Sequence, residues 1–351
     1  MSAGLPFDGL TLVEAVAPGE DRALRIAAAL AGRIFADLGA RVISYVDIGG
    51  EDAAHRLFLS ARKDMRFAEA GDRAAVHAAI GAADLAIIAA ADEARVGVRR
   101  APVMAILSML GGTAASGEAN ESTFTVSALA GLLNMVGDPE REPLKLAGHQ
   151  EAHAFALAVF CGLSAGLASG WSADGVLPSA TVRASLMDAI VWLNWKAVPL
   201  DPAAPTLPTR TGAEGEWQVL RCADGHAALV YQEPDWPRLC TALDEPRLLE
   251  HRFATRAGRL AHGRDLAAIV EARFLTMTRR EIHALALAHR LPLGPVWSPA
   301  EALTDPHNLA RAFFEDLPGG ARAPRLPVMW NGAPVAADLA GAESRERTVA
   351  S

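Results

Sequence analysis

The sequence is poor in several residue types, and each shortage excludes a class of protein. Its 351 residues include three cysteines, Cys161, Cys222 and Cys240, and no C-x-x-C spacing. We therefore predict reduced thiols and expect neither a disulfide framework nor a cysteine-based metal site. Basic residues form no run longer than a pair such as Arg99-Arg100, and acidic residues outnumber Lys and Arg by 41 to 33. A nucleic-acid partner is therefore not expected.

Targeting signals are also missing from the sequence. Residues 1–8 contain no basic stretch followed by an apolar one, so we expect no signal peptide and predict a cytoplasmic location. The most apolar long stretch, residues 152–170, contains His153 and Ser164 and is rich in alanine and glycine. This composition favours a buried core helix over a membrane span, so no membrane partner is predicted.

The hydrophobic pattern alternates between strands and helices in the first half of the chain. Strand patterns are found at residues 10–16, 41–46, 83–89 and 103–108. Helical patterns are found at residues 21–38, 72–81, 122–136, 150–169 and 181–197. Alternating strands and helices predict an α/β fold with a parallel sheet and right-handed crossovers.

The chain changes character after residue 197. Four prolines between residues 198 and 210 predict a stiff, extended linker. Beyond it, two strand patterns flank Ala223-Asp224-Gly225, which is a strong hairpin signal. Helical patterns follow, so a small α+β domain is predicted over residues 211–290.

Common site motifs give little guidance to the chemistry. There is no G-x-G-x-x-G after the first strand and no Walker A loop. His149 and His153 have the i, i+4 spacing of two metal ligands on one helix, with Glu151 between them. No third ligand is visible in the sequence, so no metal is predicted.

Short motifs are spread along the chain in a fixed order. Residues 5–14 read LPFDGLTLVE, residues 30–43 read LAGRIFADLGARVI, and residues 58–64 read FLSARKD. Further motifs lie at residues 127–143, 224–229, 236–243, 252–259, 293–296, 305–307 and 312–314. Together they resemble the family III CoA-transferases, of the CaiB/BaiF or formyl-CoA-transferase type. Each match is modest, but the ordered set covers nearly the whole chain.

The resemblance implies a Rossmann-like large domain whose parallel sheet is formed by both chain ends. Residues 1–197 would be its first segment and residues 291–351 would return to it, with the small domain between them. It also implies an interlocked dimer and an acyl-CoA substrate that exchanges coenzyme A with a small carboxylic acid. In the family an aspartate carboxylate attacks the thioester and carries the acyl group, without a metal.

The sequence departs from the family pattern at the positions of the chemistry. With Gln150 placed on the family's glutamine, Ala152 stands at the nucleophile position, and Glu151 is the nearest carboxylate. We therefore name Glu151 and His149 as the candidate catalytic residues. The racemase branch of the family would need an acid/base histidine and an aspartate where this chain has Ser122 and Ala152.

The sequence also retains few of the residues that contact coenzyme A in the family. The family's basic residue after the second strand corresponds to Asp47 here, which reverses the sign of the charge. Arg62 and Lys63 retain the expected character in the loop that faces CoA, and they are the candidate cofactor-binding residues.

Three functions remain open at this point. The chain is a CoA-transferase with altered catalytic residues, or a catalytically silent subunit of a hetero-oligomeric CoA-transferase, or an acyl-CoA-binding protein without turnover. The predicted partner is accordingly a second copy or a related CoA-transferase subunit.

Overall fold

The computed structural model describes residues 4–66, 73–97, 100–111, 122–137, 140–170, 176–194 and 217–335. Contacts divide the chain into two units. The large unit comprises Met1–Gly137, Arg141–Leu207 and Ala310–Ser351, and the small unit comprises Asp138–Glu140 and Pro208–Leu309. The predicted linker, residues 198–210, lies outside the described residues.

The large unit is built around a parallel sheet of six strands. In chain order these are β1 Thr11–Ala15, β2 Arg41–Ser44, β3 Lys63–Met65, β4 Leu85–Ala89, β5 Val103–Ser108 and β6 Ala180–Ser185. Their spatial order is β3-β2-β1-β4-β5-β6, so the direction of chain progress reverses between β1 and β4. This is the strand order of dinucleotide-binding α/β folds, and it confirms the predicted α/β class.

Helices cover both faces of the sheet. They are α1 Arg22–Asp37, α2 Ala53–Ser60, α3 Arg73–Ala82, α4 Glu93–Val96, α5 Thr123–Leu129, α6 Gln150–Ala168 and α7 Leu186–Leu193. The larger core lies on the side of α1 and α6, where Phe35, Phe155 and Val159 are fully buried. The smaller core contains Ile80 of α3, packed on the opposite face of the strands. Strands buried on both faces explain the continuous apolar run of β4.

Helix α6 is long and apolar enough for a membrane span, the one such helix among the residues that the structure describes. Its Phe155, Ala156, Val159 and Leu163 are fully buried in the core of the large unit. This packing is that of a core helix, as the sequence predicted.

Two expectations for the large unit need correction. The predicted helix at residues 181–197 is instead β6 followed by α7, with Ser185 capping α7 through its hydroxyl oxygen, which accepts from Asp188 N at 3.0 Å. The sheet is also not formed by both chain ends, because its six strands all come from residues 11–185.

The return segment contributes small hairpins in place of strands of the main sheet. These are β10 Phe314–Asp316 with β11 Arg322–Pro324, and β12 Met329–Trp330 with β13 Ala333–Pro334. Val335 is buried against Ile34 of α1 and Leu38, the residue that follows α1, so this segment packs on the outside of the helix layer.

The small unit combines an antiparallel sheet with helices. Strands β7 Trp217–Cys222 and β8 Gly225–Val230 form the predicted hairpin, and β9 Leu293–Pro295 pairs with β8. The helices are α8 Trp236–Leu243, α9 Arg256–Ala261, α10 Gly263–Phe274, α11 Arg279–His289, α12 Pro299–Thr304 and α13 Pro306–Ala310. Residues 291–309 belong to this unit, and β9 among them pairs with β8, whereas the sequence predicts that the small domain ends at residue 290.

Candidate functional site

The carboxyl edge of the parallel sheet collects polar side chains from segments that are far apart in sequence. The loop after β2 carries Glu51, α1 begins with Arg22, and His149 immediately precedes α6. Arg22 donates to one carboxylate oxygen of Glu51, and His149 Nε2 lies 3.1 Å from the other. In folds of this strand order, ligands bind at this edge near the reversal of strand order, so these side chains form the candidate functional site.

Glu51 is the centre of this group. Its side chain is almost fully buried, and its Oε2 atom lies 2.7 Å from Nδ1 of His55 as well as 3.1 Å from Nε2 of His149. Burial alone would raise the pKa of Glu51, but hydrogen bonds from Arg22 and His55 outweigh it and lower the pKa to about 2. The carboxylate is therefore charged at neutral pH.

Local capping explains how His55 reaches Glu51. Asp52 caps α2, and its carboxylate accepts a hydrogen bond from the backbone N of His55 at 2.8 Å. His55 consequently sits in the first turn of α2 and lies four residues after Glu51. The rings of His55 and His149 are nearly parallel, with 9° between the planes and 5.2 Å between centroids.

His153 lies beside this group, one turn further along α6 than His149. Its ring centroid is 6.2 Å from that of His55. Burial lowers the pKa of His153, and the neighbouring His55 and His149 lower it further. Its Nε2 atom is buried and has no hydrogen-bond partner in the described part of the chain.

Glu151, the predicted nucleophile, is fully buried in the first turn of α6. Lys145 Nζ lies 3.3 Å from its Oε1 and 3.4 Å from its Oε2, and Ser127 Oγ of α5 lies 3.3 Å from Oε1. Lys145 is one-third exposed, so this ion pair joins a fully buried carboxylate to a cation that reaches the surface. His149 has Glu51 as its partner, and the structure does not pair the two predicted catalytic residues with each other.

Ala152, at the family's nucleophile position, is buried in the core of the large unit. It offers no functional group and faces apolar neighbours. The carboxylate of Glu151 is thus the reactive group that α6 provides closest to this position.

The predicted CoA-binding residues are used inside the protein. Lys63 Nζ lies 2.7 Å from Glu14 Oε1, and neither side chain has exposed surface. Arg62 donates to Asp37 and to Glu315, both at 2.8 Å. The placement does not suit contacts to CoA phosphates, because these cations are already neutralised by buried carboxylates.

The G-x-S-x-G pattern at Gly162–Gly166 serves helix packing and does not form a catalytic site. It lies within α6, where a Cβ on Gly162 would come within 2.6 Å of Val182 Cγ1, and one on Gly166 within 2.9 Å of Val103 Cγ1. The glycines allow α6 to pack closely on β5 and β6, and Ser164 is not on the sharp strand-to-helix turn that activates a nucleophile.

Glu51 and His55 were not predicted from the sequence as site residues. Their i, i+4 spacing is a local signal for a pair on a helix turn, but 94 residues separate His55 from His149 (149 minus 55). Only the sheet topology, which brings the start of α2 to the start of α6, shows that they belong together.

Comparison with known proteins now identifies the family. The model of CoA-transferase family III matches residues 99–341. The chain belongs to CoA-transferase family III.

Two curated relatives illustrate the similarity. This family III chain is 27% identical over 140 residues to a formyl-CoA:oxalate CoA-transferase of Rhodopseudomonas palustris, covering 38% of the chain and 33% of the relative. It is 25% identical over 207 residues to a succinate–glutarate CoA-transferase of Agrobacterium fabrum, covering 55% of the chain and 49% of the relative. The chain therefore spans about a third to a half of the length of these relatives.

Solved structures share the fold over nearly the full chain. A CaiB/BaiF family protein from Brucella suis superimposes with a TM-score of 0.80 at 22% identity, covering 98% of this chain and 100% of that one. A hypothetical protein from Mycobacterium tuberculosis gives a TM-score of 0.73 at 20% identity, covering 95% of both chains. The predicted resemblance to CaiB/BaiF proteins is confirmed.

Proposed function

We propose that this protein transfers coenzyme A between an acyl-CoA and a small carboxylic acid. The observation that carries the proposal is the match of residues 99–341 to CoA-transferase family III. The names of the curated relatives support the same substrate class, since both are CoA-transferases of short dicarboxylic or formyl groups. The strand order of the sheet supports it further, because such sheets bind nucleotide-containing ligands at their carboxyl edge.

We propose Glu151 as the carboxylate that attacks the thioester. Its oxygen bonds to the acyl carbon while the carbon–sulfur bond breaks, so CoA leaves as a thiolate and a mixed anhydride remains. The thiolate then attacks the Glu151 carbonyl carbon, which releases the first acid as a carboxylate and leaves a glutamyl-CoA thioester. The acceptor carboxylate attacks this thioester, and the same two steps run in reverse.

The position of Lys145 supports this role for Glu151. Its ammonium faces the carboxylate in the resting protein and is one-third exposed, so it can swing toward solvent without disturbing the core. Movement of Lys145 opens the route by which a thioester reaches the otherwise buried carboxylate. The side chain of His149 contacts Glu51, so we propose no role for His149 in the transfer of CoA.

A CoA-exchange assay on the purified protein tests the proposal. The donors are formyl-, succinyl- and glutaryl-CoA, and the acceptors are oxalate, succinate and glutarate, each followed by chromatography of the CoA esters. We expect exchange by the unmodified protein and a loss of several orders of magnitude for Glu151→Gln, which keeps the shape but removes the nucleophile. The matched control is Glu142→Gln, since Glu142 is 70% exposed and pairs only loosely with Arg141 at 3.4 Å.

Three outcomes would contradict the proposal in different ways. Full exchange by Glu151→Gln would refute the nucleophile assignment. Exchange only after mixing with a related chain that carries the family aspartate would identify a catalytically silent subunit. Stoichiometric binding of acyl-CoA in a calorimeter, without exchange across the panel, would identify a binding protein.

A further inference from the structure

We propose that Glu51, His55 and His149 form a binding site for a divalent transition metal, best suited to Zn²⁺. Glu51 Oε2, His55 Nδ1 and His149 Nε2 all lie within 4.8 Å of one another. The carboxylate oxygen is 2.7 Å from the His55 nitrogen and 3.1 Å from the His149 nitrogen. This inference goes beyond the proposed CoA transfer and does not depend on it.

The donor set is the one that zinc prefers. Two imidazole nitrogens and one carboxylate oxygen form a combination used in zinc sites that keep a fourth position open. Ligand atoms at about 2.0–2.2 Å from a tetrahedral ion lie roughly 3.3–3.6 Å apart. Binding would therefore move the Glu51 oxygen about 0.6–0.9 Å further from the His55 nitrogen and about 0.2–0.5 Å further from the His149 nitrogen. Without an ion, hydrogen bonds between Glu51 and the two rings hold the same atoms together.

The surroundings orient these donors. Arg22 donates to Oε1 of Glu51 and leaves Oε2 facing both rings, the kind of outer contact that fixes a ligating carboxylate. His55 is held in the first turn of α2 by the Asp52 cap, and His149 is fixed at the start of α6. Both rings are partly exposed, at 16% and 30%, so an ion can enter from solvent.

His153 provides a second observation in favour of a cation at this place. Its buried Nε2 atom is without a hydrogen-bond partner in the described structure, and its ring centroid lies 6.2 Å from that of His55, a member of the cluster. A buried polar atom left unpaired is costly. His153 is outside the three-atom cluster and is not counted among its ligands.

An ion at this site would link two separate segments of the large unit. It would join the loop after β2 and the start of α2 to the start of α6, which are otherwise connected through the Glu51 hydrogen bonds. We therefore expect binding to raise the temperature of unfolding, because an ion that binds only the folded protein stabilises it.

The test uses the full chain, freed of metal by dialysis against EDTA, and Zn²⁺ alone as the probe. Isothermal titration calorimetry should show one ion per chain, and Co²⁺ should produce the visible absorption bands of a low-coordinate site with nitrogen ligands. His55→Gln and His149→Gln should each weaken binding by at least about 100-fold. His283→Gln, at an exposed position of α11 in the small unit, should bind like the unmodified protein.

Circular dichroism of each variant separates loss of a ligand from loss of the fold, and a variant that does not fold is replaced by Glu51→Gln. Absence of stoichiometric Zn²⁺ binding by the unmodified protein would overturn the proposal. Binding that His55→Gln and His149→Gln leave unchanged would overturn it as well. None of these measurements uses CoA exchange, so their failure is distinguishable from failure of the proposed transferase function.

Discussion

At the scale of single residues, a buried lysine explains several features around the middle of the sheet. Lys63 starts β3, and its ammonium reaches Glu14 of β1 and the carbonyl of Ala29 in α1 at 2.5 Å. Burial raises the pKa of Glu14, and the charge of Lys63 opposes this rise. Gly32 of α1 provides the space for the Glu14 carboxylate, because a Cβ at this position would come within 1.8 Å of Glu14 Oε2.

Removing the lysine should therefore destabilise the protein strongly. In Lys63→Met, Glu14 remains fully buried without its partner, and we expect a loss of about 3–5 kcal/mol in the free energy of unfolding. Urea unfolding followed by circular dichroism measures it. The matched control is the double variant Glu14→Gln/Lys63→Met, which should be the more stable of the two because no buried charge is left. Equal stability of both variants would contradict this account.

The same residues show how far sequence reasoning reaches at this scale. The motif at residues 58–64 predicted Arg62 and Lys63 as CoA contacts, but the motif does not distinguish a cation for phosphate from a cation for a buried carboxylate. That distinction depends on Asp37, Glu14 and Glu315, which come from other elements and are brought to these cations only by the fold. The Glu51 group was missed for the same reason.

At the scale of elements, strands with continuous apolar runs were predicted from the sequence, and the two edge strands, β3 and β6, were not. The bounds of β5 were predicted correctly at residues 103–108, because all but one of its residues are buried. Strand β6 alternates exposed and partly buried residues and continues directly into α7, so its six residues were absorbed into a single helical pattern. The hydroxyl cap of Ser185 is the local signal that separates the two elements.

An ion pair connects the edge strand β6 to helix α4, which follows β4. Arg183 of β6 donates to both carboxylate oxygens of Glu93 in α4, at 2.7 and 2.8 Å. The hydrogen bond from Arg183 lowers the pKa of Glu93 below its usual 4.5. As the pH falls, Glu93 is therefore protonated at a higher pH in the unfolded chain than in the folded one. The stabilisation that the ion pair gives to the folded protein is present above pH 4.5 and is lost as the pH falls through the folded pKa of Glu93.

Glu93→Gln tests this linkage. At pH 7 we expect a loss of about 0.5–1 kcal/mol in the free energy of unfolding, the range for a well-formed pair at the surface. The difference from the unmodified protein should shrink as the pH is lowered through the folded pKa of Glu93, because the native carboxylate then becomes protonated too. Urea unfolding at several pH values measures both effects, with Glu142→Gln as the exposed control. A difference independent of pH would mean that the ion pair is not its cause.

At the scale of the whole molecule, the order of motifs predicted more than any single site residue. It indicated the family, while the alternation of strand and helix patterns indicated the α/β class, and both are confirmed by the family match and the sheet. It did not predict that β9 pairs with β8, because the Gly-Pro-containing segment at residues 293–296 has no strand signal of its own. Pairing between strands distant in sequence is decided by the neighbouring strand, here the second strand of a hairpin.

We propose that the protein forms a dimer, as the family resemblance implies, and its surface supports this. Phe124 and Leu129 of α5 and Trp192 of α7 are 55%, 72% and 80% exposed, and the two helices pack against each other. Large apolar side chains grouped in this way are typical of protein–protein contacts.

Light scattering at micromolar concentration should therefore give about twice the chain mass of 36.9 kDa. Trp192→Ser should shift the protein toward the monomer, because the side chain that contributes most apolar area to this surface is lost. Leu249→Ser is the matched control, since Leu249 is 73% exposed but lies in the small unit. If the unmodified protein is a monomer and gives a larger mass only after a related CoA-transferase chain is added, the protein forms a heterodimer and not a homodimer. A monomer under both conditions would refute the dimer.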